Sequence, residues 1–416
     1  MEVVYGFALA VYGWLIRVAA LFHPKAKEWI AGRQHWERNM SSLLKEPEKR
    51  IWFHCSSLGE YEQGRPVLER LRSEYPDCKI VLTFFSPSGF IQKKNETLVD
   101  YVFYLPLDGA VNSRRFIEIV NPYFAVFVKY EFWHFYIKIL KDKKIPSFVI
   151  SAIFRPSQIY FKNYGKFFYT ILQRITHLFV QNQTSLELLY DSKLTNVTVS
   201  GDTRFDRVYM NSMNSKNLER IAAFKNGKPL FIAGSTWPSD EKILSLFIGD
   251  YKDKLKFIIV PHEITSGAIQ RLRRQLPVKA LLYSELSTQS SEGINILIID
   301  NIGMLSSLYS YADYAYIGGG FGSGIHNSLE AAVYGLPVFF GTNYKKFAEA
   351  VQMIQMGTAF SFTDYNNFLQ QFETVFTNPS RLEEIHKKNM RFIDSSRGAT
   401  DVILNYLKMN YPGCKQ

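Results

Sequence analysis

After Arg50 the chain alternates between short apolar runs, rich in β-branched and aromatic residues, and longer stretches with helical periodicity. This alternation predicts parallel strands joined by crossover helices. A first set of predicted strands comprises IWFHC from Ile51, KIVLTF from Lys79, YVFYL from Tyr101, YFAVFVK from Tyr123, SFVI from Ser147, HLFVQ from His177 and NVTVS from Asn196. A second set comprises PLFIAG from Pro229, KFIIVP from Lys256, VKALLY from Val278, INILIID from Ile294, YAYIGGG from Tyr314 and LPVFFG from Leu336.

Because the pattern occurs twice, the sequence predicts two α/β domains with Rossmann-like sheets. A stretch enriched in Asn, Ser and Lys lies between them and predicts a linker. Two such domains facing a central cleft form the GT-B arrangement, with ligands at the carboxyl ends of the strands. The predicted segments are a membrane anchor at 1–24, a first domain at 25–206, a linker at 207–228, a second domain at 229–395 and, at 396–416, a helix returning to the first domain.

The N-terminal run from Val3 to Phe22 is almost entirely apolar and is interrupted only by Arg17. Its length is sufficient to cross the hydrocarbon layer of a membrane. Basic residues follow it, beginning with Lys25 and Lys27, and the positive-inside rule then places the rest of the chain in the cytoplasm. A helix lying in the membrane interface, with Arg17 reaching the head groups, explains the same pattern, and so does a helix buried in a soluble domain.

Composition and charge restrict the class of partner. A chain of 416 residues with 47% hydrophobic content can form large cores, and its formal net charge of +11 favours an anionic partner such as a phospholipid surface. The basic residues are spread along the chain, so we expect no nucleic-acid partner. Cys55, Cys78 and Cys414 show no C-x-x-C spacing, which predicts unpaired thiols in a reducing compartment.

Three polar motifs follow apolar strands of the first predicted domain. In HCSSLGE, Glu60 could deprotonate a sugar hydroxyl, or it could only complement the dipole of the following helix. In KYEFW, Glu131 suits contact with an acceptor or with a cationic transition state, and an ion pair with Lys129 or a helix N-cap explains it equally well. In GDTRFD, Arg204 suits a departing phosphate, unless it is an ordinary surface cation.

The second predicted domain contains two candidate anion sites. The first, Gly234-Ser235-Thr236, is a strand-to-helix turn whose hydroxyl and N–H groups can hold an anion, although helix capping by Ser239 or Asp240 explains it almost as well. The second is IGGGFGSGIHNSLE, where a strand from Ile317 enters a glycine-rich turn and a helix is predicted to open at His326. Glycines allow close approach of a phosphate.

Within that second stretch, Glu330 is placed to accept hydrogen bonds from the two hydroxyls of a ribose. Neither a dinucleotide G-x-G-x-x-G nor a P-loop G-K-[ST] is present. The sequence also contains no Asp-X-Asp pair and no His/Cys cluster, so we expect no metal ion and no other cofactor.

Taken in this order, the motifs resemble the bacterial 3-deoxy-D-manno-octulosonic acid (Kdo) transferase family of lipid A and lipopolysaccharide core synthesis. The family patterns S-V-G-E, E-x-E-x-W-P and G-N-L-K-F-D are similar to the stretches that contain Glu60, Glu131 and Arg204. The resemblance implies that Glu60 is the general base. It also implies an inverting, metal-independent transfer of Kdo from CMP-Kdo to a lipid A precursor, at the cytoplasmic face of the inner membrane.

The family's patterns G-S-T, P-R-H, D-T-M-G-E-L and G-G-H-N-P-L-E fall on the second domain, and the resemblance implies that these loops bind CMP. The matching positions are Gly234, Ser235 and Thr236, then Pro261 and His262, then Ile302, Gly303 and Met304, and finally Gly324, Asn327, Ser328, Leu329 and Glu330.

This chain departs from the family at four positions: Lys129 replaces an acid, His134 replaces a proline, Arg204 replaces a lysine, and the arginine of P-R-H is missing beside His262. These differences predict a divergent member that retains activity. Two alternatives remain open among enzymes, a UDP-sugar epimerase and a lipid A disaccharide synthase. A non-catalytic lipid- or glycan-binding derivative and a nucleic-acid binder are alternatives from other classes.

Overall fold

The computed structural model describes residues 1–287 and 292–413. It divides the chain into two compact units, one formed by Met1–Arg207 with Arg397–Gln416 and the other by Val208–Ser396. Each unit contains a seven-stranded sheet in which the paired strands are parallel. The two units are called the first and the second domain below.

The sheet of the first domain has the strand order β3-β2-β1-β4-β5-β6-β7. Its strands are β1 (Arg50–Cys55), β2 (Lys79–Phe84), β3 (Tyr101–Tyr104), β4 (Pro122–Val128), β5 (Ser147–Ala152), β6 (His177–Val180) and β7 (Val197–Val199). The central strands are buried along their length because helices cover both faces, which explains their continuous apolar sequences.

The helices of the first domain either precede the sheet or connect its strands. They are α1 (Glu2–Ala19), α2 (Pro24–Ala31), α3 (Trp36–Leu43), α4 (Leu58–Glu74), α5 (Pro87–Lys93), α6 (Ala110–Val120), α7 (His134–Asp142), α8 (Lys166–Arg174), α9 (Gln183–Asp191), α10 (Thr203–Met213), whose end passes into the second domain, and α19 (Ala399–Asn410). Short 3-10 turns occupy Ile159–Phe161 and Asn163–Gly165.

The C-terminal helix α19 packs against α4 of the first domain. Arg70 of α4 forms an ion pair with Asp401 at 2.7 Å, and the Tyr75 hydroxyl donates to the Tyr411 carbonyl at 3.0 Å. Asp206 holds the start of α19, since its carboxylate accepts from the Gly398 N–H at 2.6 Å and from the Thr400 N–H and hydroxyl, both at 2.7 Å. The aspartate that ends the GDTRFD motif therefore caps a helix that lies far away in sequence.

We expect Asp206→Ala to lower the free energy of unfolding by about 1–3 kcal/mol, because it leaves buried donors at the start of α19 without their acceptor. Urea unfolding measures this change. Asp77→Ala, at an exposed position, is the control and should change little. Equal stabilities for the two variants would contradict the capping role of Asp206.

The sheet of the second domain has the strand order β10-β11-β9-β8-β12-β13-β14. Its strands are β8 (Leu230–Thr236), β9 (Lys256–Pro261), β10 (Ala280–Leu282), β11 (Ile296–Ile298), β12 (Tyr314–Ile317), β13 (Val338–Phe340) and β14 (Ala359–Ser361). Its helices are α11 (Glu219–Lys225), α12 (Pro238–Tyr251), α13 (Ser266–Gln275), α14 (Leu305–Leu308), α15 (Leu329–Ala332), α16 (Ala348–Gln355), α17 (Tyr365–Phe376) and α18 (Pro379–Ser396). Short 3-10 turns occupy Tyr283–Ser287 and Tyr309–Tyr311. The edge strand β14 lies outside the predicted set.

The segment predicted as a linker, 207–228, is instead folded. It contains the end of α10 and all of α11, in which Ile221 and Phe224 are buried. The Leu218 N–H donates to the Tyr311 hydroxyl at 2.8 Å, and Lys225 forms an ion pair with Asp313 at 2.8 Å. The division between the two units, at Arg207 and Val208, lies at the start of this segment, while the polar composition concealed a short amphipathic helix that packs on the second domain.

The cysteines differ from the prediction at one position. Cys78 is disulfide-bonded, so the expectation of unpaired thiols is wrong there. Cys55 is free and buried at the end of β1. Cys414 lies outside the described residues. The sequence contains no C-x-x-C spacing that would signal the bond at Cys78.

The N-terminal helix α1 is long and apolar enough to cross a membrane, by length and composition only. One of its faces packs on the first domain. The Tyr5 hydroxyl donates to Asp108 at 2.8 Å, Glu2 forms an ion pair with Lys138 at 2.8 Å, and Gly13 is buried. The other face exposes large apolar side chains, namely Val3, Val4, Phe7, Val11, Trp14, Leu15 and Val18. Contacts at the N-terminal end and in the middle of α1 favour a helix that lies along the domain.

Candidate active site

The candidate base Glu60 lies in the first turn of α4, directly after the end of β1. Its Oε2 atom accepts from the Ser57 N–H at 2.6 Å and from the Ser57 hydroxyl at 2.5 Å, which forms a capping box. Its Oε1 atom makes no hydrogen bond to any other residue in the described ranges. The helix-terminal role that the sequence left open is therefore present, and it leaves one carboxylate oxygen for a substrate.

Glu131 follows β4 and is almost completely buried. Its Oε2 atom accepts from the Trp133 indole N–H at 2.8 Å and lies 3.3 Å from His54 Nε2. The other ring nitrogen of His54 is 2.8 Å from the Thr83 hydroxyl on the neighbouring strand β2. This chain of contacts fixes the carboxylate, while Oε1 has no hydrogen-bond partner among residues 1–287 and 292–413.

The Cys55 thiol, at the end of β1, is affected by the charges of both carboxylates. Burial raises the pKa of the Cys55 thiol well above its ordinary value, and the charges of Glu60, Glu131 and Glu62 raise it further. Glu60 follows β1 and Glu131 follows the neighbouring strand β4, whereas Glu62 is ion-paired with Arg207 at 2.9 Å. A negative region of this kind suits the stabilisation of positive charge and the removal of a proton from a hydroxyl.

Arg204 lies at the start of α10, where two of its guanidinium nitrogens donate to one carboxylate oxygen of Asp202. The two guanidinium nitrogens Nε and Nη2 lie 2.9 and 2.7 Å from Asp202 Oδ2. Asp202 also accepts from the Gln63 amide at 2.9 Å, so α4 and the GDTRFD motif are joined. Contact between Arg204 and a departing phosphate stays a prediction. It would require the guanidinium to bind Asp202 and the phosphate at the same time.

In the second domain, Gly234–Thr236 forms the end of strand β8 and not the predicted turn, and Asp240 of α12 organises the connection that follows. Its buried carboxylate accepts from the Trp237 N–H at 2.8 Å, the Gly319 N–H at 2.9 Å and the Tyr316 hydroxyl at 2.6 Å. Burial raises the pKa of Asp240, and these three hydrogen bonds oppose that rise. The capping interpretation is thus correct for Asp240, which in addition joins the turn after β8 to the glycine-rich loop after β12.

Trp237, His262 and His326 form an aromatic stack at this point. The ring centroids of Trp237 and His262 are 4.4 Å apart, and those of His262 and His326 are 4.6 Å apart. The Trp237 indole N–H donates to His326 Nε2 at 3.0 Å. Trp237 was not among the candidate site residues. The sequence contained a signal for it, because it directly precedes the proline that starts α12 and is therefore the first residue after β8. The predicted loops around Pro261 and Gly324 therefore meet here.

The stack makes stability depend on pH. Burial and the neighbouring His262 lower the pKa of His326 from 6.5 to about 4, so the folded protein keeps this ring neutral. The unfolded chain binds this proton near pH 6.5, and stability is lost as the pH falls through 6.5 toward 4. We expect His326→Gln to reduce the drop in melting temperature between pH 7.5 and 5. The control is His386→Gln, at an exposed position. His134 and His177 also have lowered pKa values, but they are present in all the proteins compared and contribute equally to the pH dependence of each. Identical pH slopes for the two variants would contradict this assignment.

The glycine-rich loop is packed tightly against its neighbours. A Cβ atom on Gly318 would lie 2.1 Å from the Ser235 carbonyl oxygen, and one on Gly320 would lie 2.5 Å from the backbone of Gly341. Gly319 and Gly324 have φ angles of 92° and 135°, which favour glycine. Close packing of three loops therefore accounts for much of the glycine content, independently of any ligand.

The helix predicted to open at His326 begins later, as α15 at Leu329. The Leu329 N–H instead donates to Asn327 Oδ1 at 3.2 Å, and the Asn327 amide donates to Glu330 at 3.1 Å. The Ser328 hydroxyl is buried without a hydrogen-bond partner among the described residues. The helix was predicted too early because Gly324 and the side chain of Asn327 stabilise a turn before it.

Of the remaining candidates, Ile302 and Gly303 are exposed, and Met304 is buried directly before α14. A cavity of about 720 Å³ borders the outer side of the glycine-rich loop and is lined in part by Ser323, Lys345 and Lys346. These two lysines were not predicted as site residues, since they belong to none of the motifs. Among the described residues, no group of three or more His, Cys, Asp or Glu side chains forms a potential metal site.

The family model described as 3-deoxy-D-manno-octulosonic-acid transferase (kdotransferase) matches residues 33–207, which lie in the first domain. Over 92% of this chain, a Kdo transferase of Haemophilus influenzae is 25% identical and is itself covered to 92%. A Kdo transferase of Aquifex aeolicus is 27% identical over 75% of this chain and 81% of its own length. The predicted resemblance to Kdo transferases is confirmed. The Kdo transferase matches support a glycosyltransferase role in Kdo transfer.

Solved structures agree on the fold. UDP-GlcNAc 2-epimerase of Neisseria meningitidis bound to UDP-GlcNAc has a TM-score of 0.61 and 14% identity, covering 87% of this chain and 100% of that protein. A UDP-N-acetylglucosamine 2-epimerase from Listeria monocytogenes gives 0.59 and 11% identity, covering 88% and 97%. At these identities the likeness concerns the fold alone, and the predicted α/β GT-B class is confirmed.

Proposed function

We propose that this protein transfers Kdo from CMP-Kdo to a lipid A precursor, with inversion at the anomeric carbon. The observation that carries the proposal is the pair of fixed carboxylates, Glu60 after β1 and Glu131 after the neighbouring strand β4, in a domain that matches the Kdo transferase family model. Each has one oxygen held by the protein and one without a hydrogen-bond partner in the described parts of the chain.

In the proposed reaction, Glu60 Oε1 takes the proton of the acceptor hydroxyl as its oxygen attacks the anomeric carbon. The bond between that carbon and the phosphate oxygen breaks at the same time, and CMP leaves with the electron pair. The sugar becomes oxocarbenium-like in the transition state, and the carboxylate of Glu131 stabilises this positive charge. The contacts of Glu131 to Trp133 and His54 keep it in place without a change of geometry during reaction.

CMP is proposed to bind the second domain at the loops around Gly234–Thr236, His262 and Asn327–Glu330. Glu330 would accept hydrogen bonds from the ribose, and the Ser328 hydroxyl is a buried donor whose hydrogen bond a ligand could complete. With one phosphate in the donor, the reaction is proposed to need no metal ion. Undiminished transfer in the presence of EDTA is the corresponding expectation.

Membrane association is proposed to occur through the exposed apolar face of α1, on the cytoplasmic side of the membrane, as the basic residues that follow α1 indicate. The helix would lie in the interface because its other face is committed to the first domain through Tyr5, Glu2 and Gly13. This arrangement brings a lipid acceptor to the domain that contains Glu60 and Glu131.

A competing candidate, a UDP-sugar epimerase, is suggested by the fold of the solved neighbours. Equilibrium binding of CMP and UDP to the purified protein separates the two functions. We expect CMP to bind more tightly, and Glu330→Ala to weaken CMP binding by about tenfold through loss of a charged hydrogen-bond acceptor. Tighter binding of UDP would reject CMP-Kdo as the donor and favour the epimerase.

A further inference from the structure

A cavity of about 390 Å³ lies in the first domain beneath the C-terminal half of α1. It is lined by Gly13 and Arg17 of α1, by Trp29 of α2, by Arg33 and Trp36, and by the segment before α6. The cavity therefore combines aromatic walls with two guanidinium groups, and it lies beneath α1, whose opposite face is exposed and apolar. None of the motifs in the sequence includes these residues.

Arg33 has no carboxylate partner among the described residues. Its guanidinium donates to the carbonyl oxygens of Trp29 at 3.0 Å, Phe85 at 2.6 Å and Leu105 at 2.9 Å, and it lies 3.9 Å from the centre of the Trp29 ring. Burial lowers the pKa of Arg33 to about 9, so the group remains charged at neutral pH. A partly buried cation without a counter-ion is costly, and an anion in the cavity would offset this cost.

Two further donors belong to the same cavity. The indole N–H of Trp29 is buried and has no hydrogen-bond acceptor in the described ranges. Arg17 is exposed at the last turn of α1 and forms no ion pair with a described residue. Glu28, the acidic residue of α2, is exposed and is not paired with Arg33. The cavity thus presents positive charge and an unused donor, which suits a phosphate group.

An aromatic path leads from this cavity to the candidate active site. The Phe85 ring lies 5.8 Å from the Trp29 ring and 4.9 Å from the Trp133 ring, and the Trp133 indole N–H is bound to Glu131. A lipid whose acyl chains follow the exposed face of α1 would place its polar head between the cavity and Glu131. Both ends of this path lie in the first domain.

We propose that the cavity binds a phosphate group of the acceptor lipid, held by Arg17, Arg33 and the Trp29 indole N–H. This inference rests on the proposed function in one respect, the identity of the lipid as the acceptor. It assigns the ligand class as a phosphorylated, acylated sugar and gives the apolar helix α1 a part in substrate recognition as well as in membrane binding.

The test is equilibrium binding of a phosphorylated lipid A precursor and of its dephosphorylated form to the full chain in neutral detergent micelles, without a donor sugar. We expect the wild-type protein to prefer the phosphorylated lipid by about tenfold or more. The variant Arg17→Gln/Trp29→Phe should lose this preference, because it removes two donors and keeps an aromatic ring at position 29. Arg38→Gln, an exposed cation on α3 outside the cavity, is the matched control and should keep it.

Equal binding of the two lipids by the wild-type protein, or a preference unchanged in the double variant, would overturn the proposal. The proposal would also be overturned if the double variant lost affinity for detergent micelles that contain phosphatidylglycerol but kept its preference for the phosphorylated precursor. The cavity would then bind membrane phospholipid in general. Binding needs no sugar transfer. A phosphate preference carried by Arg17 and Trp29 in a protein that transfers no sugar would therefore support the cavity assignment while rejecting the transferase.

Discussion

Glu60→Gln is expected to lower kcat for sugar transfer by about a hundredfold or more, because glutamine cannot take the proton of the acceptor hydroxyl. The structure makes this substitution informative. Glutamine keeps a side-chain oxygen that accepts from the Ser57 N–H and hydroxyl, so the capping box at the start of α4 is preserved. A loss of activity without a loss of stability would then result from the missing general base.

Two companion variants complete this experiment. Glu60→Ala removes both the base and the cap, and we expect it to be as inactive as the glutamine variant and also less stable. Glu69→Gln, on the same helix but paired with Arg65, should keep nearly full activity. Activity in Glu60→Gln above about a tenth of the wild-type value would mean that Glu60 only caps α4 and that another group acts as base.

Glu131→Gln is the variant with the second largest expected effect, a fall in kcat of about a hundredfold with a small change in the KM for the acceptor. The reason is electrostatic, since the amide retains the size of the side chain but removes the negative charge that faces the oxocarbenium-like transition state. Steady-state kinetics with both substrates measures kcat and KM separately.

Trp133→Phe is the matched comparison for this second variant. It removes the N–H group that binds Glu131 Oε2 and leaves the charge, so we expect a smaller loss, about tenfold or less. An unchanged kcat in Glu131→Gln, together with a lower melting temperature, would show that Glu131 serves only to stabilise the end of β4.

The sheets and the order of the site motifs could be predicted from the sequence because parallel strands buried on both faces are continuous apolar runs. The position of Glu60 after β1 followed from the same pattern. Strand β14 was not predicted, since only two of its residues, Ala359 and Phe360, are apolar, whereas the short strands that were predicted lie in longer apolar runs. Helix α11 was missed because only Ile221 and Phe224 mark its buried face among polar neighbours.

The remaining features of the site could not be predicted because they depend on contacts between segments that are distant in sequence. The sequence identified Glu131 but not its partners, because the contact of His54 with Thr83 depends on the register of β1 and β2. Asp206 looked like part of a ligand motif, and its bonds to the start of α19 span the length of the second domain in sequence. The cation Arg33 likewise shows no local pattern, and only its buried position reveals that it lacks a counter-ion.

Sugar transfer itself tests the central claim most directly. The full chain, purified in detergent, would be incubated with a tetraacylated lipid A precursor and with CMP-Kdo generated in the reaction, and the mass of the lipid would be followed over time. We predict an increase by one Kdo unit or more with the wild-type protein and no increase with Glu60→Gln. An unchanged lipid mass, with a folded wild-type protein that binds CMP, would contradict the proposed reaction.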